Sequence, residues 1–323
     1  MAIDNLFLGT ARRSVGDITM YRRNGKQVSR VRVRKIANPN TDKMLYQRAI
    51  LATVAQAYRA GKAILDHSFE GKGTVADNQA EFMRRNLNAL RARIQADIDE
   101  QLPALEQHGA VVRRGAVAAV PGPYVIATGS LIQSYMSVTA SANDDDVMQA
   151  VFSPVSGSEK VSEYLSRLGL RAGDIFTVCA YAITQDSGWD SAMYDDYRQY
   201  PATFGFVRLT VKDSAVTDST TQADAADVSS VFDVAANMAG IASLVGALQL
   251  DDPITIDHVV PTAVTGSLGV IRSRDDSGLR SNCVMQCPEY LRWGIKSAGI
   301  LAAWSTDADN VGDPSQILDG ANF

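Results

Sequence analysis

Residues 18–33 alternate between apolar and polar positions on both sides of Asn24-Gly25. An Asn-Gly pair favours a type I′ turn, because both central residues of that turn take positive φ. The pattern therefore predicts a β-hairpin with a two-residue turn. Its register pairs Arg23 with Lys26, Tyr21 with Val28, and Ile18 with Val31.

The predicted hairpin has two chemically different faces, since successive strand residues point to opposite sides. The apolar face carries Ile18, Met20, Val31 and Val33. The opposite face carries Thr19, Tyr21, Arg30, Arg32 and Arg34. The alternation thus predicts a ribbon with one apolar face and one basic face that includes an aromatic residue.

Apolar residues at helical spacing follow the hairpin. Thr41 is a good N-cap, Asp42 suits the first turn, and the helix is predicted to run to about His67. Its apolar positions are Met44, Leu45, Ile50, Leu51, Val54, Tyr58 and Leu65.

A loop is predicted over residues 70–78. A second helix is predicted over residues 79–107, where Pro103 is expected to shorten its C-terminal end. Its apolar positions are Phe82, Leu87, Leu90, Ile94 and Ile98, and its arginines are Arg84, Arg85, Arg91 and Arg93.

From Val117 onward, short β-branched and aromatic segments stand between Gly, Pro, Ser and Asp clusters. Strands are predicted within 124–129, 130–141, 174–184, 204–213, 255–264, 267–274 and 279–287. The last two, joined by 275–278, predict a second hairpin. Helices are predicted near 159–168 and within 224–250, and residues 288–305 match either a helix or a strand.

These elements predict an α+β fold. A basic N-terminal β-hairpin (residues 1–40) and a two-helix segment (41–116) precede an acidic, β-rich antiparallel sandwich (117–323), of which a jelly roll is one form. Long alternation of strand and helix, which would indicate a parallel sheet, is not seen.

The charge is unevenly distributed along the 323 residues, whose formal net charge is −5. Residues 1–116 carry 20 Lys and Arg against 11 Asp and Glu, and residues 117–323 carry 11 against 25. This uneven distribution of charge suggests two surfaces in different environments, one of them facing a polyanion. The alternative is a solvated basic face that meets the acidic half of the same chain or of a neighbour.

Composition narrows the class of protein further. The hydrophobic fraction of 46% is that of an ordinary globular chain, and no signal peptide is recognised at the N-terminus. The uncharged run 234–250 is diluted by Ala, Gly, Asn and Gln, so a buried helix is favoured over a membrane span. The odd and sparse cysteine count argues against a disulfide framework. The three cysteines, Cys179, Cys283 and Cys287, are therefore interpreted as small buried residues.

Sequence patterns of catalysis are not found: the chain has no nucleophile elbow, no phosphate-binding loop and no dinucleotide-binding glycine pattern. Asp144, Asp145 and Asp146 are interpreted as a helix N-terminus rather than a metal site. The acidic loop 186–196 is interpreted as solvated, with recognition as the alternative. We therefore expect no enzyme, no cofactor and no metal; an enzyme whose site escapes these patterns is the remaining alternative.

Basic residues that alternate with apolar ones suit contact with nucleic-acid phosphates, and Tyr21 suits stacking on an unpaired base. The candidate residues are Arg12, Arg13, Arg22, Arg23, Lys26, Arg30, Arg32, Arg34 and Lys35, with Arg84, Arg85, Arg113 and Arg114 as weaker candidates. Edge strands also carry charges simply to prevent aggregation, so that explanation stays open.

The N-terminal segment resembles structural proteins of small viruses and virus-like elements known from gut and environmental metagenomes. The shared pattern has Gly9, Arg12, Gly16, Tyr21, Gly25, Gln27, Asn38-Pro39, Thr41 and Gln47-Arg48. Segments 170–182 and 269–287 also resemble those proteins, and Met44 departs from the pattern, which has a second Gln there. The resemblance covers about a third of the chain, and similar N-termini occur in uncharacterised proteins of Bacteroidota.

The resemblance implies a capsid protein that self-assembles into a shell in a virion. In it the β-rich part would be the shell domain and the basic end would face the packaged genome. The expected partners are therefore other copies of the chain and nucleic acid, and no membrane. The alternative is a non-virion nucleic-acid-binding protein that acts as a monomer or small oligomer.

Overall fold

The structure is a computed structural model, and it describes only part of the chain. The described residues are 14–15, 18–23, 26–31, 42–99, 119, 121–132, 135–141, 147–153, 158–185, 202–221, 227–274 and 278–288. The chain divides into two compact units, Met1–Thr41 and Asp42–Phe323.

The first unit contains a small antiparallel sheet. Its strands are β1 (Ser14–Val15), β2 (Ile18–Arg23) and β3 (Lys26–Val31), in the order β1-β2-β3. All three predicted pairs, Arg23 with Lys26, Tyr21 with Val28 and Ile18 with Val31, are confirmed. Asn24-Gly25 lies outside the described residues. Strand β1, which pairs with the start of β2, was not predicted.

The second unit begins with helices α1 (Asp42–Ala60), α2 (Lys62–Leu65) and α3 (Val75–Asp99). The single helix predicted to reach His67 is interrupted at Gly61. The Tyr181 hydroxyl donates a hydrogen bond to the Ala57 carbonyl at 2.6 Å, and a Cβ at position 61 would lie 2.5 Å from that hydroxyl oxygen. The close approach of Tyr181, distant in sequence, therefore requires glycine at this break.

Burial largely follows the predicted apolar stripe of α1 and α2. Ile50, Val54, Tyr58 and Leu65 are buried, but Leu51 is 42% exposed, so its assignment to the stripe was wrong. Leu51 follows Ile50 directly, and neighbouring helix positions point in directions about 100° apart. The side chains of Met44 and Leu45 lie outside the description.

Helix α3 begins four residues before its predicted start. The Thr74 hydroxyl accepts a hydrogen bond from the Asp77 backbone N–H at 3.1 Å and donates one to the Asp77 carboxylate at 2.8 Å. Thr74 thereby satisfies one of the unpaired amide groups of the first turn. Phe82 and Leu90 are fully buried, as predicted, and Leu87 is half-buried.

Within the described residues, ten strands follow these helices. They are β4 (Val125–Ala127), β5 (Met136–Ala140), β6 (Met148–Phe152), β7 (Asp174–Thr184), β8 (Thr203–Val211), β9 (Phe232–Ala236), β10 (Ile254–Thr255), β11 (Ala263–Arg274), β12 (Leu279–Arg280) and β13 (Cys283–Val284). Four short helices lie between them: α4 (Val161–Arg167), α5 (Asp213–Val216), α6 (Val228–Val231) and α7 (Ile241–Gly246).

The strands form a five-stranded sheet, β12-β11-β7-β8-β9, a three-stranded sheet, β10-β6-β5, and a two-stranded sheet, β13-β4. All of these named pairs are antiparallel. The chain therefore has an α+β fold with a β-sandwich, which confirms the predicted fold class.

Strand β7, in the middle of the five-stranded sheet, is buried on both faces. One face of β7 (Phe176, Val178, Ala180 and Ala182) joins the core formed with β5, β6 and β10. The other face (Cys179 and Tyr181) joins the core formed with α1–α3, β4 and β13. Burial on both sides explains why β7 is apolar at almost every position instead of alternating.

Three sequence predictions in the sandwich were wrong. Residues 255–264 were predicted as a strand, but a 3₁₀ helix spans Ile256–His258. The helix predicted within 224–250, with 234–250 as a buried helix, is divided into α6, β9 and α7, because β9 pairs along the edge of β8. Strand β6, not a helix, begins at Met148, just after the acidic run 144–146.

The hairpin predicted from 267–274 and 279–287 is confirmed, because β12 pairs with β11 and Leu268 exchanges two backbone hydrogen bonds with Gln286. Strand β13, between these two points, also pairs with β4.

Asn86 of α3 joins the helices to the edge of β4. Its side-chain oxygen accepts a hydrogen bond from the Val125 N–H at 2.8 Å, and its amide nitrogen donates to the Val125 carbonyl at 3.0 Å. The Asn86 side chain thus occupies the place of a strand neighbour and is completely buried.

We expect Asn86→Ala to lower the free energy of unfolding by about 1–3 kcal/mol, because both backbone groups of Val125 lose their partner. Denaturant unfolding measures this change. Asn88→Ala is the matched control, since Asn88 is exposed on the same helix. Equal effects of the two substitutions would contradict a special role for Asn86.

Candidate nucleic-acid interface

The N-terminal sheet places several predicted basic residues on one face. Arg30 lies opposite Thr19 and Arg23 lies opposite Lys26. Since cross-strand partners share a face and residues two apart along a strand do too, Arg23, Lys26 and Arg30 belong to the same face. Arg22 pairs with Gln27 and belongs to the other face. Three of the four candidate residues within the sheet therefore share one face, and Arg22 belongs to the opposite face.

One feature of this sheet is unfavourable for a ribbon without partners. The opposed residues Ile18 and Val31, on the face opposite to that of Arg30, are 44% and 73% exposed. An apolar partner would remove this surface from water.

The remaining N-terminal candidates, Arg12, Arg13, Arg32, Arg34 and Lys35, lie outside the described residues, as do Arg113 and Arg114. The acidic residues 144–146, the loop 186–196 and the segment 289–305 lie outside them as well. Arg30 itself is described and exposed.

The weaker candidates Arg84 and Arg85 both bond to Glu81 on the surface of α3. Arg84 Nη2 lies 2.5 Å and Arg85 Nε lies 2.7 Å from Glu81 Oε1. The hydrogen bond from Arg84 and that from Arg85 outweigh partial burial and lower the pKa of Glu81 to about 2. The i, i+3 and i, i+4 spacings in the sequence are the signal for these ion pairs.

Two other arginines are internal structural cations. Arg272 is 4% exposed, and its guanidinium donates to Asp174 Oδ2 at 2.7 Å and to the carbonyls of Ile132 and Gly169. Arg274 donates to both carboxylate oxygens of Asp174 at 2.6 and 2.7 Å. The end of the predicted strand 267–274 thus contributes two arginines to a buried charge cluster with Asp174.

A second basic region was missed by the sequence analysis. A cavity of about 390 Å³ on the helix-facing side of the central sheet is lined by Arg208 of β8 and Arg280 of β12. These residues are far apart in sequence, and no local pattern connects them. Only the strand order brings them to one cavity.

The cysteines have no features of reactive thiols. Cys179 and Cys283 are buried and Cys287 is half-buried, and these three residues form no disulfide. Burial raises the pKa of Cys283 to about 12 and that of Cys179 well above its usual range, which disfavours the nucleophilic thiolate.

Within the described parts of the chain, no group of three His, Cys, Asp or Glu side chains is arranged to hold a metal ion. Nor does any helix there combine the length and the apolar character that crossing a membrane requires.

Comparison of the chain with protein-family models, with curated proteins and with solved structures finds no match.

Proposed function

We infer that the chain is a viral capsid protein that self-assembles into a shell and contacts the packaged genome through its basic N-terminal segment. The observation that carries this proposal is the N-terminal sheet, which groups Arg23, Lys26 and Arg30 on one face and exposes the apolar pair Ile18 and Val31 on the other. A ribbon of this kind has two partners to bind, phosphate on one side and protein on the other.

The charge distribution supports the same division of roles. Residues 1–116 carry a net charge of about +9 and residues 117–323 about −14. A shell subunit needs positive charge toward the packaged phosphates and a soluble surface elsewhere. In this proposal the β-sandwich is the shell domain, the protein is located in the virion, and the jelly-roll form of the sandwich stays a prediction.

In this proposal the basic face contacts phosphates through Arg23, Lys26 and Arg30. The contact does not depend on the base sequence, because guanidinium and ammonium groups neutralise the backbone of any nucleic acid. The exposed apolar pair contacts a second copy of the chain, and strand edges of the ribbon are covered by that neighbour. No residue of the proposed interface performs catalysis.

We expect the purified full-length chain to form uniform particles much larger than a dimer and to carry nucleic acid. Negative-stain electron microscopy, size-exclusion chromatography and the ratio of absorbance at 260 and 280 nm measure these properties. A small, salt-sensitive binder without particles would contradict the capsid proposal and favour a non-virion nucleic-acid-binding protein. Particles free of nucleic acid would contradict the genome contact alone.

A further inference from the structure

A cavity of about 390 Å³ lies on the helix-facing side of the central sheet, beside α2. Its volume falls in the range typical of small-molecule sites, roughly 300–1,000 Å³. Ile64, Ile175 and Ile271 supply apolar surface, and Thr177 and Ser273 supply hydroxyl groups. Arg208 and Arg280 line the same cavity, which none of the sequence motifs indicated.

Strand register builds this cavity from two neighbouring rows of residues. In one row Arg280 lies opposite Ser273, which lies opposite Ile175. In the other row Ile271 lies opposite Thr177, which lies opposite Arg208. Each row therefore joins an arginine, a hydroxyl residue and an isoleucine. The arginines stand on β12 and β8, three strand spacings of about 4.8 Å apart.

The two hydroxyl residues of the cavity wall are mostly buried. Thr177 is 5% exposed and Ser273 is 8% exposed. Over the described parts of the chain, neither hydroxyl makes a hydrogen bond to another protein group. Their oxygens are not among the buried side-chain atoms without a partner, which are Tyr135 Oη and Arg272 Nε in the described residues, so both hydroxyls keep access to a ligand in the cavity.

The arginines are placed to attract an anion. Arg208 is exposed, its guanidinium lies 5.2 Å from the centre of the Phe206 ring, and it forms no ion pair with any described carboxylate. Arg280 donates to the carbonyl oxygens of His67 at 3.1 Å and Leu279 at 2.8 Å, which fixes its orientation.

Two acidic residues of this region, Glu70 and Asp66, are engaged by other groups. Glu70 accepts hydrogen bonds from the backbone N–H groups of Ser130 at 2.8 Å and Arg280 at 3.2 Å, and these bonds, with a smaller attraction from the Arg280 guanidinium, lower its pKa. Asp66 bonds to Tyr58 and Lys62. Neither carboxylate lines the cavity, where the charged side chains are Arg208 and Arg280.

We propose that this cavity binds a phosphate ester of nucleotide size, with its phosphate held by the arginines and hydroxyls and its apolar part on the isoleucines. Arginine matches phosphate geometry with paired N–H donors, and the hydroxyls add neutral donors that an anion can accept. All lining residues belong to the unit Asp42–Phe323. The proposed site therefore uses no residue of the basic ribbon and does not depend on the capsid proposal.

Isothermal titration of the full-length chain with adenosine 5′-monophosphate, adenosine and inorganic phosphate tests the site. We expect the monophosphate to bind once per chain, inorganic phosphate to bind more weakly, and adenosine to bind at least tenfold more weakly than the monophosphate. Arg208→Gln should weaken monophosphate binding about tenfold or more, since it removes a charged hydrogen-bond partner. Thr177→Val, which keeps the branched shape, should weaken it severalfold.

Arg171→Gln is the matched control, because Arg171 is exposed and does not line the cavity. Thermal unfolding of each variant verifies that it is folded. The proposal is overturned if neither phosphate compound binds the wild-type chain. It is equally overturned if Arg208→Gln and Thr177→Val both bind the monophosphate as tightly as Arg171→Gln does.

Two sources can supply this ligand, a free nucleotide or one nucleotide of a single strand. A single-stranded oligonucleotide is therefore added to a chain carrying Arg30→Glu, Arg32→Glu and Arg34→Glu, preloaded with the monophosphate. If the oligonucleotide displaces the bound monophosphate, the ligand of the cavity is one nucleotide of a nucleic-acid strand. If the monophosphate stays bound, the ligand is a free nucleotide. Either result supports a phosphate site, and particle formation in the wild-type chain reports on the capsid proposal independently.

Discussion

Replacing Asp174 by Asn is expected to lower the free energy of unfolding by about 3–5 kcal/mol, as is typical when one partner of a buried ion pair is removed. The Asp174 carboxylate is 1% exposed and accepts hydrogen bonds from Arg272 and Arg274, of which Arg272 is 4% exposed. Without the negative charge, two guanidinium groups remain close together in a poorly solvated place. The cluster joins β7 to β11, so its loss weakens the centre of the sandwich.

Chemical denaturation of the Asp174→Asn variant, followed by circular dichroism, measures this loss. Asp251→Asn makes the same chemical change at an exposed position and serves as the control. We expect the control to unfold at the same denaturant concentration as the wild type. If the two variants unfold alike, the buried cluster does not contribute as argued.

The pH dependence of stability gives a second measurement on the same group. Burial alone would raise the pKa of Asp174, but the hydrogen bonds from Arg274 and Arg272 outweigh burial and lower it. Its contribution to stability is therefore fully present above its unfolded pKa, near 3.9, and is lost as the pH falls through the lower folded value. The stability difference between wild type and Asp174→Asn should be constant near neutral pH and should shrink below about pH 4.

Reversing Arg30, Arg32 and Arg34 to Glu should remove most of the nucleic acid that co-purifies with the chain. Each arginine that neutralises a phosphate contributes about 0.9 to the slope of log affinity against log salt concentration, so the slope should fall by about 3. Absorbance of purified particles and salt titrations with a fluorescent oligonucleotide measure the two effects.

Two controls separate a specific interface from a general charge effect. Arg59, Lys160 and Arg171 are exposed basic residues of the second unit, and their reversal to Glu changes the net charge equally. Within the ribbon, Arg22→Glu alters the face opposite to that of Arg30. Equal losses from both triple variants would contradict the ribbon as the contact. Equal losses from Arg22→Glu and Arg30→Glu would contradict the assignment of one face.

Local patterns predicted the elements whose own residues carry a strong turn or strand signal. The Asn24-Gly25 pair and the flanking alternation predicted the register of β2 and β3. The continuous apolar run predicted β7 over its full length, Asp174–Thr184. Prediction failed at β9, where Ala, Val and Asp suit a helix as well as a strand, because pairing with β8 outweighs local preference.

The candidate interface could be predicted only in part from the sequence. The basic character of the N-terminal segment is visible in composition alone, and the hairpin pattern assigned Arg30 to its face. The cavity with Arg208 and Arg280 could not be predicted from the sequence, because its rows of residues form only when β8, β7, β11 and β12 are aligned in the sheet.

The sequence by itself determined the polarity of charge, the helical and β-rich halves of the chain, and the register of the N-terminal hairpin. These properties depend on residue type and on spacings of a few residues, which short-range sterics and turn chemistry convert directly into structure. Only the tertiary structure decided that Gly61 interrupts a helix, that Arg272 is buried against Asp174, and that Arg208 and Arg280 line one cavity. Each of these depends on a partner distant in the chain, and long-range packing and strand pairing select that partner.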